Sequence, residues 1–160
     1  MDFGELAKQQ GLPAERTLLE RVEDSLALLR TLSAEDLALV RQVIATITSG
    51  QELDLKRFAG IPKPPEGGTP NLIALQTDAE LDDYTYRVAG CVGEFWTKMC
   101  RAHLFPDAKL DDAQLLADCV RFGKGLQLVN ILRDLPRDLQ SGRCYIPMER
   151  LARVDLKPEE

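Results

Sequence analysis

The sequence predicts an all-α protein on three observations. Apolar residues recur at helical spacing through most of its 160 residues, two capping boxes mark helix starts, and the densest Pro/Gly cluster falls between helical segments. From Pro13, the residues Leu18, Leu19, Val22, Leu26 and Leu29 form one amphipathic stripe that should end near Leu32, while Met1 to Gly11 reads as a loose arm or a helix end. Ser33 with Asp36 resembles a capping box and opens a second helix carrying Leu37, Val40, Ile44 and Ile47; Gly50 should weaken or end it. Ala59 to Pro70 holds four prolines and three glycines, and the loop as a whole is expected over 59–77. The segments on either side are each too short for a core of their own, so one domain over 1–160 is expected. Thr77 with Glu80 is a second capping box and starts a helix from Asp78 to about Leu104, closed by Phe105-Pro106. Asp111 or Asp112 opens the next, with Leu115, Leu116, Cys119, Phe122, Leu126 and Val129 as its stripe.

Composition excludes several functions. A net charge of −6 argues against a nucleic-acid partner, since binding to a phosphate backbone needs a basic patch. The four cysteines show no metal-binding spacing and the single histidine is His103, so zinc is not expected. Reduced thiols, no signal peptide after Met1 and no apolar run of membrane-spanning length fit a cytoplasmic protein.

The chemistry concentrates in 123–147, GKGLQLVNILRDLPRDLQSGRCYIP. On a helix, Gln127, Asn130, Asp134 and Asp138 fall within roughly 80° of one another, an amide pair and two carboxylates on one face. Acids at i and i+4 repel by about 0.2–0.5 kcal/mol on a bare helix, a penalty that a divalent cation removes. Against this stands a plain solvated face on which Arg133 and Arg137 neutralise the acids. Pro136 lacks an N–H and disfavours a helical Leu135, which leaves open whether Asp138 shares the face or is carried off it. Asp54 faces either a cavity or solvent. Gly90 and Gly93 each cost about 1 kcal/mol relative to Ala in a helix interior, and close approach by another helix or a ligand would account for them.

The runs QLVNILRDLPRDLQSGRCYIP and YTYRVAGCVG (84–93), with GQELDLKRF at 50–58, resemble the squalene and phytoene synthases, and most closely a bacterial squalene synthase. The resemblance runs from about Leu18 to the C-terminus. It implies part of an isoprenoid-synthase-type helical bundle, with Mg²⁺ held by Asn130, Asp134 and Asp138. It also implies substrate or diphosphate contacts from Val88, Gly90, Gln127, Arg133, Arg143 and Tyr145, and a catalytic Tyr84 near the reacting carbons. The implied reaction joins two farnesyl or two geranylgeranyl diphosphates head to head, with farnesyl diphosphate, presqualene diphosphate and squalene favoured, and with NADPH as reductant where squalene is made. Such lipid-like substrates leave room for peripheral membrane contact.

The family's first aspartate-rich motif is missing; Asp78 and Asp82 lie too near the tyrosine motif to stand for it. This pattern is that of the middle of a longer enzyme, so the chain alone is expected to be inactive and to self-associate. The competing expectations are a non-catalytic helical module that binds prenyl diphosphate or regulates, and a purely structural helical domain.

Overall fold

The computed structural model describes residues 3–59 and 71–159. Its contacts group into two compact units, Met1–Val40 and Arg41–Glu160.

In the first unit, α1 (Phe3–Gln9) occupies the stretch expected as a loose arm. The stripe that begins at Pro13 is divided into α2 (Pro13–Glu20) and α3 (Val22–Leu29), not one helix to Leu32. Arg21 leaves helical geometry at φ −106°, ψ 18°, and its guanidinium pairs with Asp24 at 2.8 Å. α4 (Ala34–Arg57) starts where expected, with the Asp36 amide donating to Ser33 Oγ at 3.0 Å.

Gly50 does not end α4. A Cβ on Gly50 would lie 2.8 Å from Cβ of Arg87, so the glycine marks a close helix crossing. Residues 60–70, which hold most of the expected Pro/Gly loop, lie outside the described residues. Within the remainder of the span 59–77, Ile73–Ala74 is a strand, β1, and not loop. It pairs in parallel with β2 (Arg143–Cys144), Ile73 opposite Arg143 and Ala74 opposite Cys144.

Thr77 caps the next helix as its spacing predicts, accepting from the Glu80 amide at 3.2 Å. The Glu80 carboxylate bonds the Gln76 amide at 2.6 Å, so the reciprocal half of the box reaches one residue further back. The helical path then runs as α5 (Asp78–Thr85), a π-helical turn (Tyr86–Gly90) and α6 (Cys91–His103). π turns re-aim side chains within a helix and are frequent at functional sites. Here the turn coincides with most of the YTYRVAG motif.

Asp111 caps α7 (Asp112–Gln140), accepting from the Gln114 amide at 3.0 Å. α7 continues through Pro136 to Gln140, keeping Asp134 and Asp138 on one helix. Gly142 ends it at φ 80°, a left-handed conformation that glycine adopts without a Cβ penalty, and its amide bonds Leu139 O at 2.9 Å. After β2 the chain forms the short α8 (Met148–Ala152). Lys157 to Glu159 form no helix.

Two glycines set the spacing of α6 and α7. A Cβ on Gly93 would stand 2.2 Å from the carbonyl oxygen of Cys119, and one on Gly123 would stand 2.6 Å from that of Ala89. Backbone therefore meets backbone at two points along the pair. The core of this unit gathers Phe58, Leu75, Leu81, Tyr84, Ile131 and Tyr145, with Ile73 and Val88 packed against it.

Candidate prenyl-diphosphate site

Alongside the two backbone contacts, the π turn, α6 and α7 border an open apolar cavity of about 580 Å³. Val88, Val92, Trp96, Phe105, Phe122 and Leu126 are among its lining residues, and Gln127 and Asn130 supply a polar margin. A volume of this order suits one medium-sized ligand. The asymmetry, apolar length with amides at one edge, suits an amphiphile with a hydrocarbon tail.

The polar margin leads to the expected site residues on α7. Asn130 Nδ2 faces Gln127 Oε1 at 3.5 Å. Asp134 is gripped by Arg133, whose Nε and Nη2 donate to its two carboxylate oxygens at 2.9 and 2.8 Å. That hydrogen-bonded cation lowers the Asp134 carboxyl below its ordinary value and raises the Arg133 guanidinium above its own. Arg133 thus neutralises Asp134, the arrangement the plain charged-face reading describes, and both side chains are substantially exposed.

Asp138 behaves differently. Burial raises its carboxyl first and the Asp134 charge adds to this, with Asp54 contributing in the same sense and Arg143 and Arg137 opposing. The two carboxylates, and the Asn130 amide oxygen one turn earlier, are donor types that a hard divalent cation takes. Among the described residues no three acidic, His or Cys side chains converge as a metal site by themselves.

The Asp138 shift gives a pH prediction. Unfolded, the carboxyl loses its proton in the ordinary range; folded, it holds the proton to higher pH. Without metal, the contribution of this group to stability is therefore fullest below the ordinary carboxylate pKa and declines as pH rises through the window up to the raised value, while the lowered Asp134 and Glu94 act in the opposite sense. Asp138→Asn should flatten that decline in melting temperature between pH 4 and 7, and an unchanged slope would show that Asp138 is not the group responsible.

Tyr84, Val88 and Gly90 project from α5 and the π turn. Tyr84 stacks on Tyr145, ring centroids 4.9 Å apart at 23°. Burial raises the Tyr84 phenol, and polar contact with Tyr145 and Gln127 opposes it, so Gln127 links the tyrosine pair to the cavity. Gly90 is more loosely surrounded than the two crossing glycines, since a Cβ there would meet side-chain atoms of Tyr86, Lys124 and Val120 at 3.1–3.4 Å.

Tyr145 is buried just after β2, and its hydroxyl donates to Asp54 Oδ2 at 2.8 Å. Burial and this carboxylate drive its phenol far above the ordinary range. Arg143 lies 3.6 Å from the same oxygen and 5.6 Å over the Phe58 ring.

Asp54 is thus an inward acid, one of two orientations its sequence context allowed. The remaining acid pair, Asp78 and Asp82, is occupied by Arg150 and Lys124 respectively.

A further feature bears on solution behaviour. On α7, Phe122, Leu126, Val129 and Leu132 are 68, 51, 61 and 65% exposed, an apolar stripe without cover among the described residues. Patches of this kind promote association. The isolated chain is expected to bind a hydrophobic dye and scatter as more than a monomer, whereas a dye-silent monomer would show that the stripe is covered in solution. No helix among the described residues is long and apolar enough to cross a membrane.

Comparison with known proteins fits this geometry. The bifunctional lycopene cyclase/phytoene synthase of Gibberella fujikuroi is 36% identical over 88 residues, which cover 54% of this chain and 15% of that protein. The phytoene synthase of Thermus thermophilus is 33% identical over 88 residues, covering 55% of this chain and 27% of that protein. This chain therefore matches only a minor part of the length of either relative. Residues 5–160 match the family described as squalene/phytoene synthase. With its helical architecture and the match over nearly its whole length, the chain belongs to the squalene/phytoene synthase family.

Proposed function

We propose that this chain binds an allylic prenyl diphosphate and serves the head-to-head joining of two such molecules. The observation that carries this reading is the continuity of an apolar cavity, an amide margin and an acidic helix face, which matches the tail and head of a prenyl diphosphate. Mg²⁺ would be held by Asn130, Asp134 and Asp138, supplying positive charge that stabilises the departing diphosphate.

The chain's own residues have separate roles in this reading. Arg133 exchanges its bond to Asp134 for diphosphate oxygens, to which Arg143 adds a second cationic donor. Val88, Gly90 and Gln127 border the ligand where tail meets head. Tyr84 and Tyr145 present aromatic faces to the positive charge left on the allylic carbons.

The named relatives are phytoene synthases or contain that activity, which favours geranylgeranyl diphosphate as one substrate to test, while the sequence motifs taken alone favour farnesyl diphosphate. Incubation with each diphosphate and Mg²⁺, with and without NADPH, followed by mass spectrometry of the products, tests the reading. A C40 or C30 hydrocarbon or its cyclopropyl diphosphate precursor supports it and identifies the substrate. Tight Mg²⁺-dependent binding with no product in any combination would favour the non-catalytic binding module instead.

A further inference from the structure

Asp54 stands outside the set of residues assigned above, yet it touches two of them. Its side chain is 14% exposed, its Oδ2 accepts the Tyr145 hydroxyl at 2.8 Å, and Arg143 Nη1 lies 3.6 Å from the same oxygen. The other oxygen, Oδ1, is buried without a hydrogen-bond partner among the described residues. Tyr145 is held on both sides, edge-on to Phe58 at 5.3 Å and stacked on Tyr84 at 4.9 Å.

Burying a carboxylate with half its acceptor capacity unused is costly. A neutral amide in this place would accept the same phenol bond at lower desolvation cost, and Arg143 at 3.6 Å is the one cation near enough to favour the charge among the described residues. The charge does have a directional effect. A carboxylate can only accept, so it commits the Tyr145 hydroxyl hydrogen to itself and leaves the phenol oxygen facing its other neighbours with lone pairs only. An amide could offer its N–H₂ to the phenol and turn that hydrogen toward Tyr84 and the ligand.

We propose that Asp54 is a positioning residue: it makes Tyr145 a hydrogen-bond acceptor toward the interior and, through the ring stack, fixes the place of Tyr84. In the prenyl-diphosphate reading on which this rests, both tyrosines then turn electron-rich surfaces toward a developing cation, and no hydroxyl hydrogen points at it. Asp54 acts through Tyr145 and does not touch the ligand. Arg143, Asp138, Gln127 and Phe58 also face this cluster.

The sequence has three tyrosines, Tyr84, Tyr86 and Tyr145, so a chain labelled with ¹³C at tyrosine Cζ gives one resonance for each. These are assigned by single Tyr→Phe variants. In Asp54→Asn, the Tyr145 and Tyr84 resonances are expected to move while Tyr86 stays. With an allylic diphosphate and Mg²⁺, kcat should fall at least tenfold with KM within twofold, and Asp54→Glu should restore part of kcat.

Tyr145 and Tyr84 resonances unchanged in Asp54→Asn overturn the proposal, as do moved resonances with unchanged kcat. If Asp54→Asn does not fold, Tyr145→Phe, which removes only the hydroxyl that Asp54 holds, substitutes for it. Tyr84 must then move and kcat fall at least tenfold, and failure of either overturns the proposal. A parent chain without turnover, the outcome expected of the chain alone, leaves the resonances to judge Asp54: joint movement of Tyr145 and Tyr84 supports the positioning, and none overturns it.

Discussion

Gly93→Ala is expected to destabilise the Arg41–Glu160 unit by about 3 kcal/mol, a fall of about 10 °C in melting temperature for a chain of this size. The added Cβ would meet the carbonyl oxygen of Cys119 at 2.2 Å and its carbon at 2.8 Å. Those are backbone atoms inside α7, so no rotamer change relieves the clash and the two helices must separate. Separation also widens the cavity they border, so ligand affinity should fall with stability. Gly125→Ala is the control. Nothing lies within 4 Å of a Cβ there, and the helix-propensity gain makes a stabilisation of up to about 1 kcal/mol the expected result. Thermal melts of both variants by circular dichroism decide the matter, and equal melting temperatures would mean that the α6–α7 contact is looser than the geometry shows. Gly90 carries less of this constraint than its paired spacing with Gly93 implies, because its neighbours are side chains at 3.1 Å or more.

Asp134→Asn is expected to weaken Mg²⁺-dependent binding of a farnesyl diphosphate analogue at least tenfold, about 1.4 kcal/mol. The substitution preserves size and helix and removes one ligand charge. Arg133 complicates the reading in a way that can be measured. In the parent its guanidinium is committed to Asp134 by two hydrogen bonds, and in the variant it is released toward the diphosphate. Affinity measured without Mg²⁺ should therefore hold or rise while affinity with Mg²⁺ falls. Arg133→Gln should instead lower affinity in both conditions. Titration calorimetry of the two variants with and without Mg²⁺ separates the effects, and an Asp134→Asn variant that keeps parental affinity with Mg²⁺ would remove this acid from the metal site.

Helical periodicity and capping chemistry located α4, α5 and α7 because those signals are local: a side-chain oxygen three residues before an amide, or a stripe every third or fourth residue. Three features were not legible for lack of such a signal. Arg21 divides the first stripe through its own backbone turn and pairing with Asp24, neither of which breaks the apolar pattern. The β1–β2 pairing joins segments about seventy residues apart, and two-residue strands are too short to show alternation. Pro136 leaves the placement of Asp138 open in the sequence, and only the structure shows α7 continuing through it.

For the site, the shared face of Gln127, Asn130, Asp134 and Asp138 follows from spacing alone. The Arg133 grip on Asp134 joins neighbours on α7 and is the pairing the charged-face reading describes, whereas the Asp54 bond to Tyr145 and the cavity walls from Trp96 to Phe105 depend on tertiary packing. The GQELDLKRF run placed Asp54 within the family resemblance but could not orient it.

The most direct test of the account is a calorimetric comparison of a non-hydrolysable farnesyl diphosphate with inorganic diphosphate, each titrated in Mg²⁺ and in chelator. If head and tail occupy the acidic face and the cavity together, burial of even four methylenes adds about 3 kcal/mol, so the prenyl ligand should bind over a hundredfold more tightly than diphosphate. Both should lose at least tenfold in chelator. Equal affinity for the two ligands, or binding indifferent to Mg²⁺, would contradict the assignment of cavity and acidic helix to one prenyl-diphosphate site.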